Sequence, residues 1–169
     1  MVEMSYLTKA THVAVLLALV VAGPTVFAQT PQTKKAAPAK TAAAKTAVAV
    51  YKTPTCGCCG KWVEHMQANG FATTVTDLPD LAETKAKHGV PASLQSCHTS
   101  MVGGYVIEGH VPAEDIRRLL REKPAILGLA APGMPAGSPG MDVPGSPAFD
   151  VIAFDKDGHT RVFATHAAR

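Results

Sequence analysis

The sequence predicts an α/β domain built on a mixed β-sheet. Apolar runs of strand length alternate with segments of helical period through the first half of the predicted domain. A Gly103-Gly104 pair lies between two later apolar runs, a hairpin signal because primed turns require positive φ. Three of the four cysteines crowd into Thr55-Cys56-Gly57-Cys58-Cys59-Gly60, where the first predicted strand passes into the first predicted helix.

Each element has its own signal. Residues 48–51, Val-Ala-Val-Tyr, read as a buried strand. A helix is expected over residues 58–68, with Trp62, Val63 and Met66 on one face, and Asn69-Gly70 ends it by tolerating a left-handed cap. Residues 72–76 suit a second strand through their Thr and Val content. Pro79 opens a short helix to Lys87, closed by Gly89. This β-α-β-α order favours a parallel strand pair with helical crossovers. Residues 99–102 and 105–108 form the hairpin around Gly103-Gly104, and Pro112 starts a helix through Glu114, Ile116, Leu119 and Leu120. Strand, helix, strand, helix, hairpin, helix is the order of a thioredoxin-like domain. Residues 128–147, rich in Gly and Pro and holding Met134 and Met141, are expected to form one long loop. Residues 149–154 and 160–164 then form a second hairpin around Asp157-Gly158, with Phe149, Val151 and Ala153 on its apolar face.

The N-terminal region is expected to lie outside this domain. Lys9 and His12 precede the apolar run of residues 13–22, Gly23-Pro24 breaks it, and Val26-Phe27-Ala28 supplies a small residue for cleavage. Residues 1–28 therefore read as a secretory signal peptide rather than a spanning helix. Residues 29–47 are Ala, Lys, Thr, Pro and Gln with scarcely a large apolar side chain, and read as a disordered linker. The domain is assigned to residues 48–166. From Val48 onward there are 11 Lys+Arg against 12 Asp+Glu, so the formal charge of +3 belongs to the N-terminal region. A near-neutral domain argues against nucleic-acid binding, which needs basic residues clustered on the domain. No second apolar stretch is long enough to span a bilayer. The mature protein is expected to be exported, with a bacterial periplasm as its compartment.

The chemistry lies in the cysteines, with Cys97-His98 completing the set. Thiols at a helix N-terminus favour the thiolate, which is both a nucleophile for disulfide exchange and a ligand for soft metals. Three readings stand open at this level. Four cysteines in an exported protein commonly form two disulfides, although Cys58 and Cys59 are adjacent and a short-range bridge closes little chain. A thiol-disulfide oxidoreductase would use Cys56 as nucleophile and Cys59 as resolving thiol, with Pro91 as a cis-proline facing them. A metal site would use Cys56, Cys58, Cys59, Cys97 and His98 together. Adjacent Cys58 and Cys59 suit different ions or bridging, which points to a polynuclear thiolate cluster for Cu(I); zinc and an iron–sulfur cluster are the other candidates. Met101, Met134 and Met141 are further soft donors that serve equally as filler. His110, in a turn before a helix, either approaches the site or is exposed. His65 is placed on the outer face of its helix, and His88, His159 and His166 at the surface. Asp77, Asp80 and Glu83 read as a solvated face, and no carboxylate pair or Ser-His-Asp set is evident.

The segment Tyr51-Lys52-Thr53-Pro54-Thr55-Cys56-Gly57-Cys58-Cys59-Gly60-Lys61-Trp62 resembles the opening motif of the CopG-type copper-resistance family, exported bacterial CxCC proteins. The likeness continues in Gly89-Val90-Pro91, Ser96-Cys97-His98-Thr99, Tyr105-Val106-Ile107-Glu108-Gly109-His110-Val111-Pro112, Gly133-Met134-Pro135 and Ser138-Pro139-Gly140-Met141, with no departure at the cysteines. The resemblance implies a thioredoxin-like fold and copper held by Cys56, Cys58, Cys59 and Cys97, extending to His98. It also implies a role in periplasmic copper resistance or homeostasis, with or without redox cycling, and exchange with other periplasmic copper-handling proteins. An oxidoreductase acting through Cys56 and Cys59, or a zinc or disulfide-stabilised interaction module, would be the alternatives.

Overall fold

The computed structural model describes residues 45–169. The expected signal peptide and all but the end of the expected linker lie outside the described residues. Among the described residues no helix is long and apolar enough to cross a membrane.

One seven-stranded mixed sheet, in the order β2-β1-β3-β4-β5-β6-β7, organises the domain. β1 (Ala47–Lys52) passes through the cysteine turn into α1 (Gly57–Ala68), and β2 (Ala72–Asp77) returns parallel to β1. α2 (Ala82–Lys87) and a 3₁₀ turn (Ala92–Leu94) lead to β3 (His98–Val102), which pairs antiparallel with β1. β4 (Tyr105–Gly109) completes the first hairpin, and α3 (Ala113–Glu122) follows Pro112. β6 (Phe149–Phe154) and β7 (Thr160–His166) form the second hairpin. Up to α3 the elements keep the order that the sequence predicts. The later strands extend the sheet beyond it.

The helices cover the two faces of the sheet. On one face Trp62, Val63 and Met66 of α1 and Ile116 and Leu119 of α3 pack with Val48, Val50, Ile107, Leu129 and Val151. The spacing of Trp62, Val63 and Met66 is that of one helical face, so its burial follows from period alone. On the other face Val90 and Leu94, after α2, pack with Val106, Ala130 and Phe154. β3 is sandwiched between β1 and β4, and His98, Thr99 and Ser100 are wholly buried.

Several expectations are corrected. Residues 128–131 are not loop but β5 (Gly128–Ala131), fully buried and parallel to β4. The strand is short, and the glycine that suggested a loop is required by packing. A Cβ at Gly128 would collide with the Val106 carbonyl and come within 2.9 Å of the Phe154 ring. α2 begins at Ala82 rather than Pro79, because the Asp80 carboxylate accepts the Ala82 N–H at 2.5 Å. No peptide bond among the described residues is cis, so Pro91 is not a cis-proline. Of the three open readings of the cysteines, two disulfides is set aside, since one disulfide, Cys56–Cys59, forms and Cys58 and Cys97 are free.

The tight seat of Gly128 generates a stability prediction. Gly128→Ala should cost about 1–3 kcal/mol, as overpacking of a close-packed interior does. Urea unfolding should show a lower midpoint at unchanged slope; an unaltered midpoint would mean that β5 yields without strain.

Candidate metal centre

The sheet brings two distant segments together. In the β1–β3 ladder the last pair is Lys52 with His98. The chain leaving β1 reaches Cys56 within a few residues, and the chain entering β3 has just passed Cys97. Cys56 caps α1 with extended backbone, so Cys58 and Cys59 lie in the first helical turn, among N–H groups with no intrahelical acceptor. Cys59 is wholly buried, whereas Cys56 and Cys58 are half-buried.

The donor atoms fall into two overlapping groups. Cys56, Cys58, Cys59 and Cys97 form one, and Cys59, Cys97, His98 and His110 the other. Within each group the atoms lie within 4.8 Å of one another. Cys56 Sγ is 3.6 Å from Cys58 Sγ, and Cys59 Sγ is 3.9 Å from the Cys97 carbonyl oxygen. Cys97 Sγ is 3.5 Å from His98 Nδ1 and 3.0 Å from His110 Nε2. All five expected residues thus converge. His110 joins them, its exposed alternative set aside by complete burial. Its signal in the sequence was the Gly109-His110-Val111-Pro112 turn, which must run beside the start of β3 once β3 and β4 pair.

The loop after β5 closes over this centre. Ser138, Pro139 and Gly140 are buried, and the Pro139 carbonyl lies 2.7 Å from His110 Nδ1. A carbonyl only accepts, so Nδ1 carries the proton and Nε2 keeps its lone pair toward Cys97. Gly140, at φ +87, lies against α1: a Cβ there would sit 2.8 Å from the Trp62 backbone nitrogen and 2.9 Å from the Cys58 carbonyl oxygen. Trp62 in turn donates its Nε1–H to the Val111 carbonyl at 2.9 Å, tying α1 to the His110 turn. Met134 is exposed and Met141 half-buried in the same loop.

Burial dominates the electrostatics. It pushes the Cys97 thiol up to about 12, with the neighbouring Cys58 adding to the shift. His98 is held well below the ordinary histidine range, by burial first and then by His110 and Lys85. Burial lowers His110 as well, against the pull of the Pro139 carbonyl. His98 Nε2 is buried with no hydrogen-bond partner. Neutral imidazoles beside thiols are suited to a soft or borderline cation. An orphaned buried nitrogen is itself costly unless something binds it.

The remaining histidines divide. His65 is not simply on the outer face: its Nε2 accepts the Ala113 N–H at 3.2 Å, capping the start of α3. His166 is half-buried, bonded to Asp115 at 2.7 Å and stacked on Phe149. His88 stacks on Tyr51, and His159 is exposed. Asp77 and Glu83 are exposed as expected. A pair that the sequence did not disclose is Lys85 with Glu108, buried at 2.5 Å beneath the Cys97 loop.

These histidines set a pH dependence for the metal-free protein. Folded His65 lies below its ordinary 6.5, chiefly through burial, as do His98 and His110. Between the folded and ordinary values the unfolded chain binds more protons. The stability contributed is therefore complete above about pH 6.5 and is lost as pH falls through the folded values. Denaturant unfolding should show stability falling between pH 7 and 5, by up to about 1.4 kcal/mol per pH unit per group. His65→Gln should shallow that slope; a flat profile would mean that these imidazoles protonate freely in the fold.

Comparison with known proteins agrees with this architecture. The family profile described as "Protein of unknown function, DUF411" matches residues 94–141, the stretch holding Cys97, His98, His110 and the covering loop. No curated protein matches the chain. Two solved structures of copper resistance protein CopG, Form 1 and Form 2, are each 41% identical to it with a TM-score of 0.69. Form 1 covers 73% of this chain and 99% of its own, and Form 2 covers 72% and 98%. With a similar fold, 41% identity over the matched residues and nearly the whole of each relative covered, this chain belongs to the CopG copper-resistance family.

Proposed function

We propose that this protein binds copper as Cu(I) in a polynuclear, cysteine-rich site, in the service of copper resistance or homeostasis. The observation that carries the reading is the pair of overlapping four-donor groups sharing Cys59 and Cys97. Two groups that share thiols are what a bridged cluster requires, because thiolate sulfur can join two ions and Cu(I) accepts low coordination. Cys56 and Cys58 would serve the outer group and His98 and His110 the inner one. The orphaned His98 Nε2 and the lone pair held on His110 Nε2 fit such a cation. Copper bound here would act as a soft centre held by thiolate and imidazole. The protein's part is to present neutral imidazoles, to keep the donors converged and to exclude water from the inner group. Loading both groups needs Cys56 and Cys59 as thiols, so the disulfide is the oxidised, metal-free form.

The family relationship supports an exported protein, and the reading includes cleavage after residue 28, a linker over residues 29–47 and residence in the periplasm. Other periplasmic copper-handling proteins would be the exchange partners. The strand and helix order through α3 supports a thioredoxin-like core extended by β5, β6 and β7.

One observation favours a second reading. The Cys56–Cys59 disulfide sits at a helix N-terminus with Cys56 half-exposed and Cys59 buried, the asymmetry of a nucleophile and its resolving thiol. A thiol-disulfide oxidoreductase would use this pair and leave Cys58 and Cys97 without a role.

Anaerobic titration of the reduced protein with Cu(I) should load more than one ion per chain, with thiolate-to-copper charge-transfer absorption. One ion per chain, with zinc preferred, would overturn the cluster. Cys58→Ser should weaken copper binding strongly yet leave the Cys56–Cys59 disulfide able to form. Intact copper loading, with disulfide reductase activity lost only in Cys56→Ser or Cys59→Ser, would favour the oxidoreductase.

Cys97 belongs to both groups, so its loss should cost more than that of a residue in one. Copper at 100–1,000 times its Kd should stabilise the wild type by about 3–4 kcal/mol. Cys97→Ala should forfeit most of that gain while keeping the metal-free fold. Thermal melts with and without Cu(I) measure it, and an unchanged copper-induced rise in the variant would remove Cys97 from the site.

A further inference from the structure

We propose that Glu108 is a positioning residue for the centre. With Lys85 as its counter-ion, it clamps the Ser96–Thr99 segment so that Cys97 and His98 point at the other donors. The proposal rests on the reading of Cys97 and His98 as ligands.

Glu108 lies at the end of β4 and is 0% exposed; Lys85, on α2, is 6% exposed. One carboxylate oxygen accepts from Lys85 Nζ at 2.5 Å and from the Ser96 N–H at 2.6 Å. The other accepts from the Thr99 hydroxyl at 2.7 Å. Lys85 Nζ also donates to Thr99 Oγ1 at 3.1 Å. The two segment donors, Ser96 N–H and Thr99 Oγ1, bracket Cys97-His98 on either side. Glu108 is directly opposite Thr99 in the β3–β4 register, so strand pairing sets its height beside the loop. Close packing completes the seat: at Gly109, φ +70, a Cβ would strike the Ser96 side chain and approach the Ala131 carbonyl oxygen to 2.9 Å.

A buried charge pair is poor value as a source of stability, because desolvation offsets most of the attraction. A simple scaffold could use apolar residues here, as the neighbouring Val90, Leu94 and Val106 do. An ionised carboxylate offers what they cannot, several acceptor sites that fix a backbone N–H and a hydroxyl at once. Groups that hold metal ligands in place carry affinity without touching the ion, typically ten- to a hundredfold per partner. None of the hydrogen-bond partners of Glu108 is a thiol or imidazole of the centre, so it acts through the loop.

The test uses the full chain with the Cys56–Cys59 disulfide intact, where Cys58 and Cys97 are the free thiols. Iodoacetamide labelling followed by mass spectrometry gives the ratio of Cys97 to Cys58 reactivity. Replacing one ion alone strands the other in the interior, so the variant is the pair Lys85→Met with Glu108→Leu. Its labelling ratio should rise severalfold. After reduction, its Cu(I) affinity should fall about ten- to a hundredfold. Thr99→Val, which removes one hydroxyl at nearly constant shape, should move both readouts part of the way, and Thr99→Ser should restore them. If the paired variant does not fold, the two Thr99 variants decide. Val151→Ala, a core truncation on β6, should lower the melting temperature and leave the ratio unchanged. An unchanged ratio in the Lys85/Glu108 and Thr99→Val variants overturns the proposal, as does an equal rise in Val151→Ala. A wild type that takes up no Cu(I) refutes the copper reading instead, while the labelling ratio still reports whether Glu108 places Cys97.

Discussion

The antiparallel pairing of β1 with β3 is the constraint on which the centre depends. Cys59 and Cys97 are 38 residues apart, and nothing local holds them together. The ladder ends at the Lys52–His98 pair, so the exit of one strand and the entrance of the other lie side by side at one end of the strands. Everything else fixes direction. The buried face of α1 holds the helix on the sheet, and the hydrogen bond from Trp62 to the Val111 carbonyl binds it to the turn that carries His110. A one-residue slip in the β1–β3 register would send His98 to the opposite face of the sheet, away from Trp62 and the thiols. The burial of Val48 and Val50 on one side opposes that slip.

The centre carries an energetic debt in the metal-free state. The half-buried Cys97 thiol lacks a charged partner, His98 Nε2 lacks any partner, and two imidazole rings meet at 5.1 Å in surroundings that keep both neutral. Each feature opposes folding or gives no gain to it. Each becomes favourable when a cation supplies the missing contact and draws off the thiol proton. The surroundings absorb the debt. β3 is covered on both faces, and the loop around Pro139 is seated against α1 at a glycine that leaves no space for a side chain. Rigidity of this kind keeps costly donors converged when relaxation alone would spread them.

Local signals made the first half of the fold legible. The β1–α1–β2 unit, the Gly103-Gly104 hairpin and the helix after Pro112 each rest on periodicity or turn chemistry within a dozen residues. The converging cysteines were legible too, since a thiol-rich turn at a helix start is local and the Cys97-His98 pair is distinctive. What was not legible is non-local. β5 holds four residues, and its Gly128 is demanded by Val106 and Phe154, far from it in sequence. Lys85 follows a helical run of small and charged residues that reads as surface, and its burial becomes sensible only with Glu108, 23 residues later. His110 looked like one turn residue among several histidines. Its role follows from the Pro139 carbonyl, 29 residues away, which no short window contains.

The donors are graded from wet to dry, and this grading bears on which chemistry the thiols serve. Cys56, Cys58 and Cys97 are half-buried, and Cys59, His98 and His110 are fully enclosed. Disulfide exchange needs only the outer end, where a partner thiolate can meet a sulfur. It has no use for two buried neutral imidazoles, whose lone pairs cannot reach a macromolecular substrate. A bare cation is small enough to pass from the outer thiols to the inner donors, and the shared positions of Cys59 and Cys97 give it a continuous path of ligands. A metal held by both groups would therefore compete with the Cys56–Cys59 disulfide for the same sulfurs. Oxidation withdraws Cys59 from both groups at once, which is why a single bond between two cysteines can close a site assembled from three separate segments of the chain.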